Sequence, residues 1–442
     1  MQETVHGGAA ATEAVPASYA SKSHHLLGLA AVSVLAYFPF QTLPFISDDY
    51  TQIWLSRIYG PPSGWGELAR DALYRCRATS LILTHGLDLA FGLWPPAYFV
   101  TGLFLHILNT WLVYALGLWR SVGYRISIPA AYIFAVRSGQ QEAVVWHAAS
   151  PELLVLAFVL ATVLAWAAWL QAGRRSALFY AGSLLAFSLA LLSKESAVSA
   201  VGFLVLVGVV ERSSLIHLAR PLIPFILLSL IYAGGIFLGR QDHLHLRDGT
   251  FSVAAQWWVT LPHSFARMVW FWGVLAAVVL ASLRMFRHRM VGFGVAWMVI
   301  GLLPYSFLLY MNRVPSRHTY MAGVGISLFI ASAYLSVRDR EPLFRRAVLS
   351  ATLGLAFLVH NCAYLWLRKL PQYERRAAVS EQFLSYAREH PGLIRVRCYP
   401  GSAWTAKHSA HMVLGRPLDS VVDATVEKNP LGPDDYCDDS KH

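Results

Sequence analysis

The sequence predicts an all-α membrane protein that crosses the bilayer many times. Of its 442 residues, 56% are hydrophobic and only 14% are charged. Apolar runs long enough to cross a bilayer recur along most of the chain, and one soluble core does not need so many of them. These two observations exclude an ordinary soluble globular protein.

The net charge of +11 is compatible with two kinds of partner, nucleic acids and anionic lipids. The basic residues lie mostly in short loops between apolar runs, and no DNA-binding motif interrupts the chain. Arginines in such loops act as orientation signals and contact lipid headgroups. We therefore expect membrane lipids as partners and no nucleic acid.

In chain order, residues 1–23 are rich in Ala, Gly, Ser and Thr, which predicts a disordered cytoplasmic tail. Residues 24–367 form the predicted transmembrane domain, with about eleven helices of ~20 apolar residues each. The predicted helices start near Leu26, Ala97, Ile126, Leu153, Ala177, Ala197, Leu218, Met268, Met290, Tyr320 and Ala347.

The orientation follows from the short loops that carry arginine. With a cytoplasmic N-terminus, all of these loops fall on the cytoplasmic side, as the positive-inside rule requires. Their arginines are Arg120 and Arg125; Arg174 and Arg175; Arg212 and Arg220; Arg284, Arg287 and Arg289; and Arg338, Arg340, Arg345 and Arg346. We expect a multi-pass protein of the bacterial inner (plasma) membrane whose remaining loops face the periplasm.

The first outer loop begins with Asp48 and Asp49, just beyond the first span. Charges at a membrane face tend to mark function, and a carboxylate there can accept a proton from a hydroxyl group. The alternative is a solvated loop or the N-cap of the next helix. Residues 51–93 are amphipathic and broken by Gly60-Pro61-Pro62, which predicts helices lying along the interface.

The outer loops also contain cations, although the topology rule disfavours positive charge on that side. Arginine binds phosphate bidentately and lysine binds it as a point charge, so a cluster of them suits a lipid-linked phosphate. The alternative is ordinary ion pairing or snorkelling of single residues. The candidates are Arg77, Arg137, Lys194, Arg313 and Arg317.

Two histidine patterns leave alternatives open. His243 and His245 could ligate a metal, but the ligand count falls short of a closed site, so no metal site is predicted. His106 and Asn109 share one face of a helix. They could position a substrate or form a polar pair inside the bundle.

Residues 368–442 are richer in polar and charged residues, which predicts a small periplasmic domain with a helix from Gln372 to about Glu389. An oxidising compartment would allow Cys398 and Cys437 to form a disulfide, and we state this pairing as a hypothesis.

Five segments in this order resemble the GT-C glycosyltransferase superfamily, closest to its bacterial and animal transmembrane-and-tetratricopeptide O-mannosyltransferase-like branch. The resemblance covers about residues 40–335. The segments are Asp48-Asp49-Tyr50; Arg77-Ala78-Thr79-Ser80-Leu81 with the following Gly92-Leu93-Trp94-Pro95-Pro96-Ala97-Tyr98 and Leu105-His106-Ile107-Leu108-Asn109; Gln141-Glu142-Ala143-Val144-Val145-Trp146; Ser193-Lys194-Glu195-Ser196-Ala197; and Arg317-His318-Thr319-Tyr320-Met321-Ala322-Gly323-Val324-Gly325.

The resemblance implies a GT-C-like bundle that transfers a sugar, with inversion, from a polyprenyl-phosphate donor to a protein, lipid or polysaccharide hydroxyl on the periplasmic face. Asp48 would be the base and Asp49 would assist it. Lys194 and Arg317, with Arg77, Arg137 and Arg313, would bind the donor phosphate. The residues expected to position the acceptor or the sugar are Glu142, Glu195, His147, His318, Tyr320, Trp146, His106 and Asn109.

No cofactor is required by this scheme, although Mg²⁺ or Mn²⁺ stays open as an alternative through Asp49 and Glu142. Two other functions also stay open. A lipid or glycan transporter (flippase) would show two similar halves with broken helices, which the sequence does not show. A polymerase or ligase of lipid-linked glycans would share the same donor and the same face.

Overall fold

The computed structural model describes residues 19–172, 176–247, 249–285, 288–309, 314–400, 402–425 and 435–437. Within these residues the chain is a bundle of helices with one small sheet near its C-terminus. Residues 1–18 of the predicted tail lie outside the described residues. The first helix begins at Tyr19, so residues 19–23, predicted to be disordered, are helical because they extend the first apolar span.

The first half of the chain forms ten α-helices. They are α1 (Tyr19–Tyr37), α2 (Asp49–Tyr59), α3 (Ala72–Arg75), α4 (Ala78–Phe91), α5 (Pro95–Ala115), α6 (Gly123–Val136), α7 (Gln141–Val145), α8 (Ser150–Gln171), α9 (Ala177–Leu191) and α10 (Ala200–Val210). Pro95 and Pro151 lie in the first turns of α5 and α8, where the N–H that proline lacks would have no helical partner.

The second half forms nine α-helices and three strands. They are α11 (Leu215–Leu238), α12 (Leu244–Arg247), α13 (Trp257–Val269), α14 (Trp272–Ser282), α15 (Arg289–Leu302), α16 (Gly323–Arg338), α17 (Leu343–Tyr364), α18 (Leu370–Glu389), β1 (Ile394–Cys398), α19 (Ala403–Leu414), β2 (Val421–Asp423) and β3 (Asp435–Cys437). A π-helical turn over Leu365–Lys369 joins α17 to α18, so one helical run covers 47 residues.

The apolar helices confirm a multi-pass membrane protein. Six helices of the described residues are long and apolar enough to cross a membrane, and the pair α13 and α14, bent by 83°, would add a seventh if it forms one span. Shorter apolar helices include α4, α9 and α16. Each predicted span start lies in a helix or within a few residues of one. The number eleven stays a prediction.

The close approach of α15 and α16 fixes the loop between them. A Cβ atom at Gly325 would lie 2.5 Å from the carbonyl oxygen of Gly294, so the two backbones touch there and both positions need glycine. The Trp297 indole is buried and its Nε1 donates to the carbonyl of Met321 at 3.0 Å. These contacts place residues 314–322 at one end of the bundle.

The first loop is a fixed platform at the same end. Arg57 of α2 binds Asp88 of α4 with two parallel hydrogen bonds of 2.7 and 2.9 Å. The Asp71 carboxylate caps α3 by accepting from the Tyr74 backbone N–H at 3.1 Å. Helices α2 and α4 lie within the segment that the sequence predicts to contain amphipathic helices.

The C-terminal tail packs against this platform. Its three parallel strands have the order β2-β1-β3, and the hypothesised Cys398–Cys437 disulfide joins β1 to β3. Helix α18 covers the segment that the sequence predicts as the tail helix. Side chains of α19 contact α2 of the first loop. We call the end of the bundle that carries this tail the tail end.

A single methyl group tests the contact between α15 and α16. We expect Gly325→Ala to lower stability by about 1–3 kcal/mol, because the added Cβ forces two backbones apart. The matched control is Gly292→Ala in α15, where a Cβ meets nothing within 4 Å and alanine is the better helix former. Thermal unfolding in detergent measures both. Equal effects of the two substitutions would contradict the close approach.

Candidate active site

Residues 141–152, here called the central segment, run through the buried middle of the tail end. The segment contains α7 and the first turn of α8. Trp146 and Ala148 contact the turn at residues 46–49, whereas Glu142 contacts Arg317 and Glu152 contacts Lys194. Several of the predicted site residues therefore meet at this segment.

Asp49 fixes the first loop to the central segment. Its side chain is fully buried, and its carboxylate accepts from the backbone N–H groups of Ile46 and Ala148, each at 2.8 Å. The Trp146 indole donates to the Ile46 carbonyl at 3.0 Å. Burial raises the pKa of Asp49 to about 7, although the two N–H groups act in the opposite direction. Asp49 thus holds the turn that presents Asp48.

Asp48 is only half-buried, and the tail supplies one of its contacts. Its Oδ1 accepts from the Thr405 hydroxyl of α19 at 2.9 Å. One turn later, the Thr51 hydroxyl and His408 Nδ1 lie 3.0 Å apart. Burial lowers the pKa of His408 to about 4, so this ring is neutral near pH 7. The turn itself is strained, because Ser47 has a φ of 53°.

Glu142 gathers two guanidinium groups at the start of α7. Its Oε1 lies 2.7 Å from Arg317 Nη1 and 3.7 Å from Arg376 Nη1. Both guanidinium carbons lie over the Trp146 ring, at 5.0 and 4.7 Å from its centroid. Burial raises the pKa of Glu142, but the two arginines outweigh it and the net shift is downward. The cluster therefore carries one excess positive charge.

Glu152 lies at the start of α8 and is almost fully buried. Its Oε1 accepts from Lys194 Nζ at 2.5 Å and contacts His318 Nδ1 at 2.6 Å, while Oε2 accepts from the Tyr305 hydroxyl at 2.6 Å. The His318 and Tyr305 rings stack at 4.4 Å. Burial lowers the pKa of Lys194 against the opposing effect of Glu152, and burial lowers the pKa of His318 to about 3.

Glu195 forms an ion pair with Arg77, and both are predicted site residues. Arg77 Nη1 lies 2.8 Å from Glu195 Oε2, and His243 Nε2 lies 2.9 Å from Oε1. Cys76 Sγ, a carboxylate oxygen of Glu195 and a ring nitrogen of His243 lie within 4.8 Å of one another. This donor set resembles a zinc site rather than a Mg²⁺ or Mn²⁺ site.

Asp49 and Glu142 do not form a ready-made site for Mg²⁺ or Mn²⁺ among the described residues. Both oxygens of Asp49 accept backbone hydrogen bonds. Those of Glu142 accept from Arg317 and from the Ser316 hydroxyl at 3.0 Å. A hard divalent cation would have to share or replace these contacts.

Other predicted residues form contacts inside the bundle. His106 lies 2.8 Å from the Tyr320 hydroxyl, and Asn109 donates to the Leu153 carbonyl at 2.9 Å. His147 lies 3.0 Å from the Thr84 hydroxyl. These contacts favour the polar-pair alternative for His106 and Asn109. Arg313 lies outside the described residues.

A cavity of about 660 Å³, here called the Lys194 cavity, opens beside the Glu152 cluster. Its polar wall consists of Lys194, Glu195, His243, Tyr305 and His318. Its apolar walls come mainly from α11 and from residues 303–308 after α15, and Phe237 on its rim is exposed on the bundle surface. The cavity can hold an amphiphile with its head at Lys194. Arg137 lines a different cavity, so the structure does not bring it to Lys194.

Sequence reasoning missed four residues that complete these clusters. Glu152 could have been noticed, because an acid within the first turn of a long apolar helix is costly unless it is paired. Tyr305, Arg376 and Thr405 carried no such signal, since only the fold brings them to the central segment.

No family model and no curated protein matches this chain. Among solved structures, it resembles the oligosaccharyltransferase AglB from Archaeoglobus fulgidus in complex with an inhibitory peptide and a dolichol-phosphate, with a TM-score of 0.52 and 13% identity over 92% of this chain and 65% of AglB. ArnT from Cupriavidus metallidurans bound to undecaprenyl phosphate gives a TM-score of 0.51 and 12% identity over 92% of this chain and 90% of ArnT.

The chain therefore spans just under two thirds of the length of AglB and most of the length of ArnT. At this identity the likeness concerns the fold. The chain shares its fold with these two proteins, and this agrees with the GT-C-like bundle that the motif resemblance predicted.

Asp49 should make stability depend on pH. Its raised pKa means that the folded protein keeps a proton that the unfolded chain has lost, so the stability from Asp49 is fully present below about pH 4 and is lost as the pH rises through about 7. We expect Asp49→Asn to flatten the fall in melting temperature between about pH 5 and pH 8. Asp71→Asn, in the same loop, is the control and should keep the fall. An unchanged slope in Asp49→Asn would show that Asp49 is ionised throughout.

The buried pair of Glu152 and Lys194 should behave as one unit. Glu152→Gln or Lys194→Met alone leaves a buried charge without its partner, and we expect each to cost about 3–5 kcal/mol. The double variant should cost clearly less than the sum. Unfolding in detergent measures this cycle. Glu341→Gln, which breaks an exposed pair with Arg345, is the control and should cost less than ~0.5 kcal/mol. Additive costs would contradict the buried pairing.

Proposed function

We propose that this protein is a membrane glycosyltransferase that moves a sugar from a polyprenyl-phosphate carrier to an acceptor hydroxyl, with inversion at the anomeric carbon. The observation that carries the proposal is the Lys194 cavity, which joins a buried ammonium group to apolar walls. The central segment connects this cavity to the acid turn, since Glu152 binds Lys194 and Ala148 binds Asp49. The GT-C fold supports it, as do the dolichol-phosphate and undecaprenyl phosphate bound to AglB and ArnT.

The donor phosphate would lie at Lys194 and within reach of Arg317. Lys194 donates one hydrogen bond to Glu152, and an ammonium group has three donors. Arg317 uses one of its side-chain donors on Glu142 and has four more. Both cations can therefore stay in their clusters while they bind phosphate. The prenyl chain would follow the apolar wall of α11 and residues 303–308 toward the exposed rim.

Asp48 is the residue we propose as base. Asp49 is buried with both oxygens occupied, whereas Asp48 keeps partial exposure beside it. The acceptor hydroxyl would lose its proton to Asp48 as its oxygen bonds to the anomeric carbon. The bond from that carbon to the phosphate oxygen breaks at the same time, and the electron pair stays on the phosphate. Lys194 and Arg317 stabilise this developing charge.

The remaining predicted residues would position these groups. Trp146 holds Ile46 and lies under two guanidinium groups, so it connects the acid turn to the cationic cluster. The hydrogen bond between His106 and Tyr320 anchors the end of the loop that carries Arg317 and His318. Glu195 keeps Arg77 beside the Lys194 cavity. One base and a separate phosphate clamp match an inverting transfer rather than the nucleophile pair of a retaining enzyme.

We further propose that the tail end faces the periplasm of a bacterial cell, with the N-terminus in the cytoplasm. The Cys398–Cys437 disulfide in the tail supports this placement, because disulfides persist in oxidising compartments. The arginine-rich loop after α16, where Arg125 pairs with Asp339, would then be cytoplasmic. Activity assays with protein, lipid and polysaccharide acceptors would identify the acceptor class.

Transfer should depend on Asp48 while donor binding does not. We expect Asp48→Asn to reduce turnover by about 10²–10⁴-fold, the range for loss of a general base, and to leave undecaprenyl phosphate binding unchanged. Lys194→Met should weaken that binding instead. The assay follows sugar release from synthetic undecaprenyl-phosphate-linked hexoses and pentoses in proteoliposomes, and a thermal shift follows binding. Glu67→Gln, in the same loop, is the control. Full turnover in Asp48→Asn would remove Asp48 from the proposed role.

A further inference from the structure

A second cavity system lies apart from the Lys194 cavity. A polar cavity of about 1070 Å³ and an apolar cavity of about 570 Å³ share Trp272, Ile330 and Phe357 in their walls, so they adjoin each other. Together they form one groove between α6, α14, α16 and α17, with Arg137 at the tail end and Arg338 at the other. We call it the second groove.

The polar mouth of the second groove is cationic. Arg137, Arg267 and Lys369 line it together with His263 and His360, and its described lining contains no aspartate or glutamate. Like charges that share a cavity repel one another unless an anion lies between them. The mouth therefore has the charge of an anion site.

Arg137 lines this mouth, and one of its guanidinium nitrogens has no hydrogen-bond partner among the described residues. It is 7% exposed, and its Nη2 donates to the Met268 carbonyl at 3.1 Å. Its Nη1 is buried and has no hydrogen-bond partner among the described residues. Burial and the nearby charge of Arg267 lower the pKa of Arg137 to about 10, although Tyr37 acts in the opposite direction. A buried guanidinium donor without a partner is costly, which points to a ligand that completes it.

The rest of the groove is apolar and open to the side. Ile133, Ala276 and Leu358 line it, and Leu275 and Leu355 on its edges are exposed. The polar pair Tyr334 and Ser350 in its wall is already hydrogen-bonded at 2.6 Å. An acyl or prenyl chain can therefore enter sideways from the bilayer and lie against this wall.

We propose that the second groove binds a phosphate-bearing anionic membrane lipid, with its headgroup on Arg137 and Arg267 and its chain along α16 and α17. This site is separate from the proposed donor site and does not depend on sugar transfer. Arg137, which the sequence grouped with the donor cations, belongs here instead. The two sites share a wall, since Arg267 donates to the Val314 carbonyl at 2.9 Å and Thr319 to that of Gly139 at 3.1 Å. The same loop carries His318 into the Lys194 cavity.

Binding of phosphatidylglycerol to the purified full-length protein in detergent tests the proposal. Native mass spectrometry and thermal shift measure its affinity against phosphatidylcholine and against inorganic phosphate. We expect phosphatidylglycerol to bind at least tenfold more tightly than either. Arg137→Gln should weaken that binding by about tenfold or more, since a hydrogen bond to a charged group contributes roughly 1.5–3 kcal/mol. Glu67→Gln, in the first loop, should leave it unchanged.

A second variant blocks the groove without touching the cations. A Cβ at Gly354, in the apolar wall, meets nothing within 4 Å, so Gly354→Trp can fold while its ring fills the groove. It should weaken phosphatidylglycerol binding, whereas Gly182→Trp, on the exposed face of α9, should not. Equal binding of phosphatidylcholine, or inorganic phosphate that binds as tightly as phosphatidylglycerol, would overturn the lipid assignment. Unaltered phosphatidylglycerol binding in both Arg137→Gln and Gly354→Trp would also overturn it.

Discussion

The pairing of one buried carboxylate, Glu152, and two partly buried ones, Glu142 and Glu195, is the constraint on which the rest of the site depends. An ionised carboxylate is stable away from water only with cations and donors around it. Glu152 draws Lys194, Tyr305 and His318 from three separate parts of the chain. Glu142 and Glu195 gather Arg317, Arg376, Arg77 and His243 in the same way. The loops between spans are thereby tied to the central segment.

The charge balance of these clusters decides what the site can bind. Lys194 is neutralised by Glu152 and Arg77 by Glu195, whereas Glu142 faces two arginines. The excess positive charge thus lies around Trp146, which also contacts the turn that carries Asp48. An anionic group is favoured there and a second cation is not.

The sequence predicted what is local and missed what is tertiary. Hydropathy located the apolar helices, because a helix that crosses the bilayer needs about 20 consecutive apolar residues. The resemblance assigned different roles to Asp48 and Asp49, but only the fold shows that Asp49 is buried against Ala148 whereas Asp48 contacts Thr405 in the tail. Arg137 and Lys194 looked equivalent, but they line different cavities. Position along the chain does not say on which side of a loop a side chain lies.

The tail is connected to the bundle both through a continuous helix and through side-chain contacts. Helix α17 continues through a π-helical turn into α18, and Arg376 of α18 lies over Trp146 in the central segment. After α18, the disulfide links β1 to β3 and so fixes the small sheet. Since α19 reaches Asp48 from this rigid support, the tail shapes the environment of the acid turn as directly as the first loop does. The environment of the proposed base therefore depends on a contact between two residues that are 357 positions apart in the chain, Asp48 and Thr405.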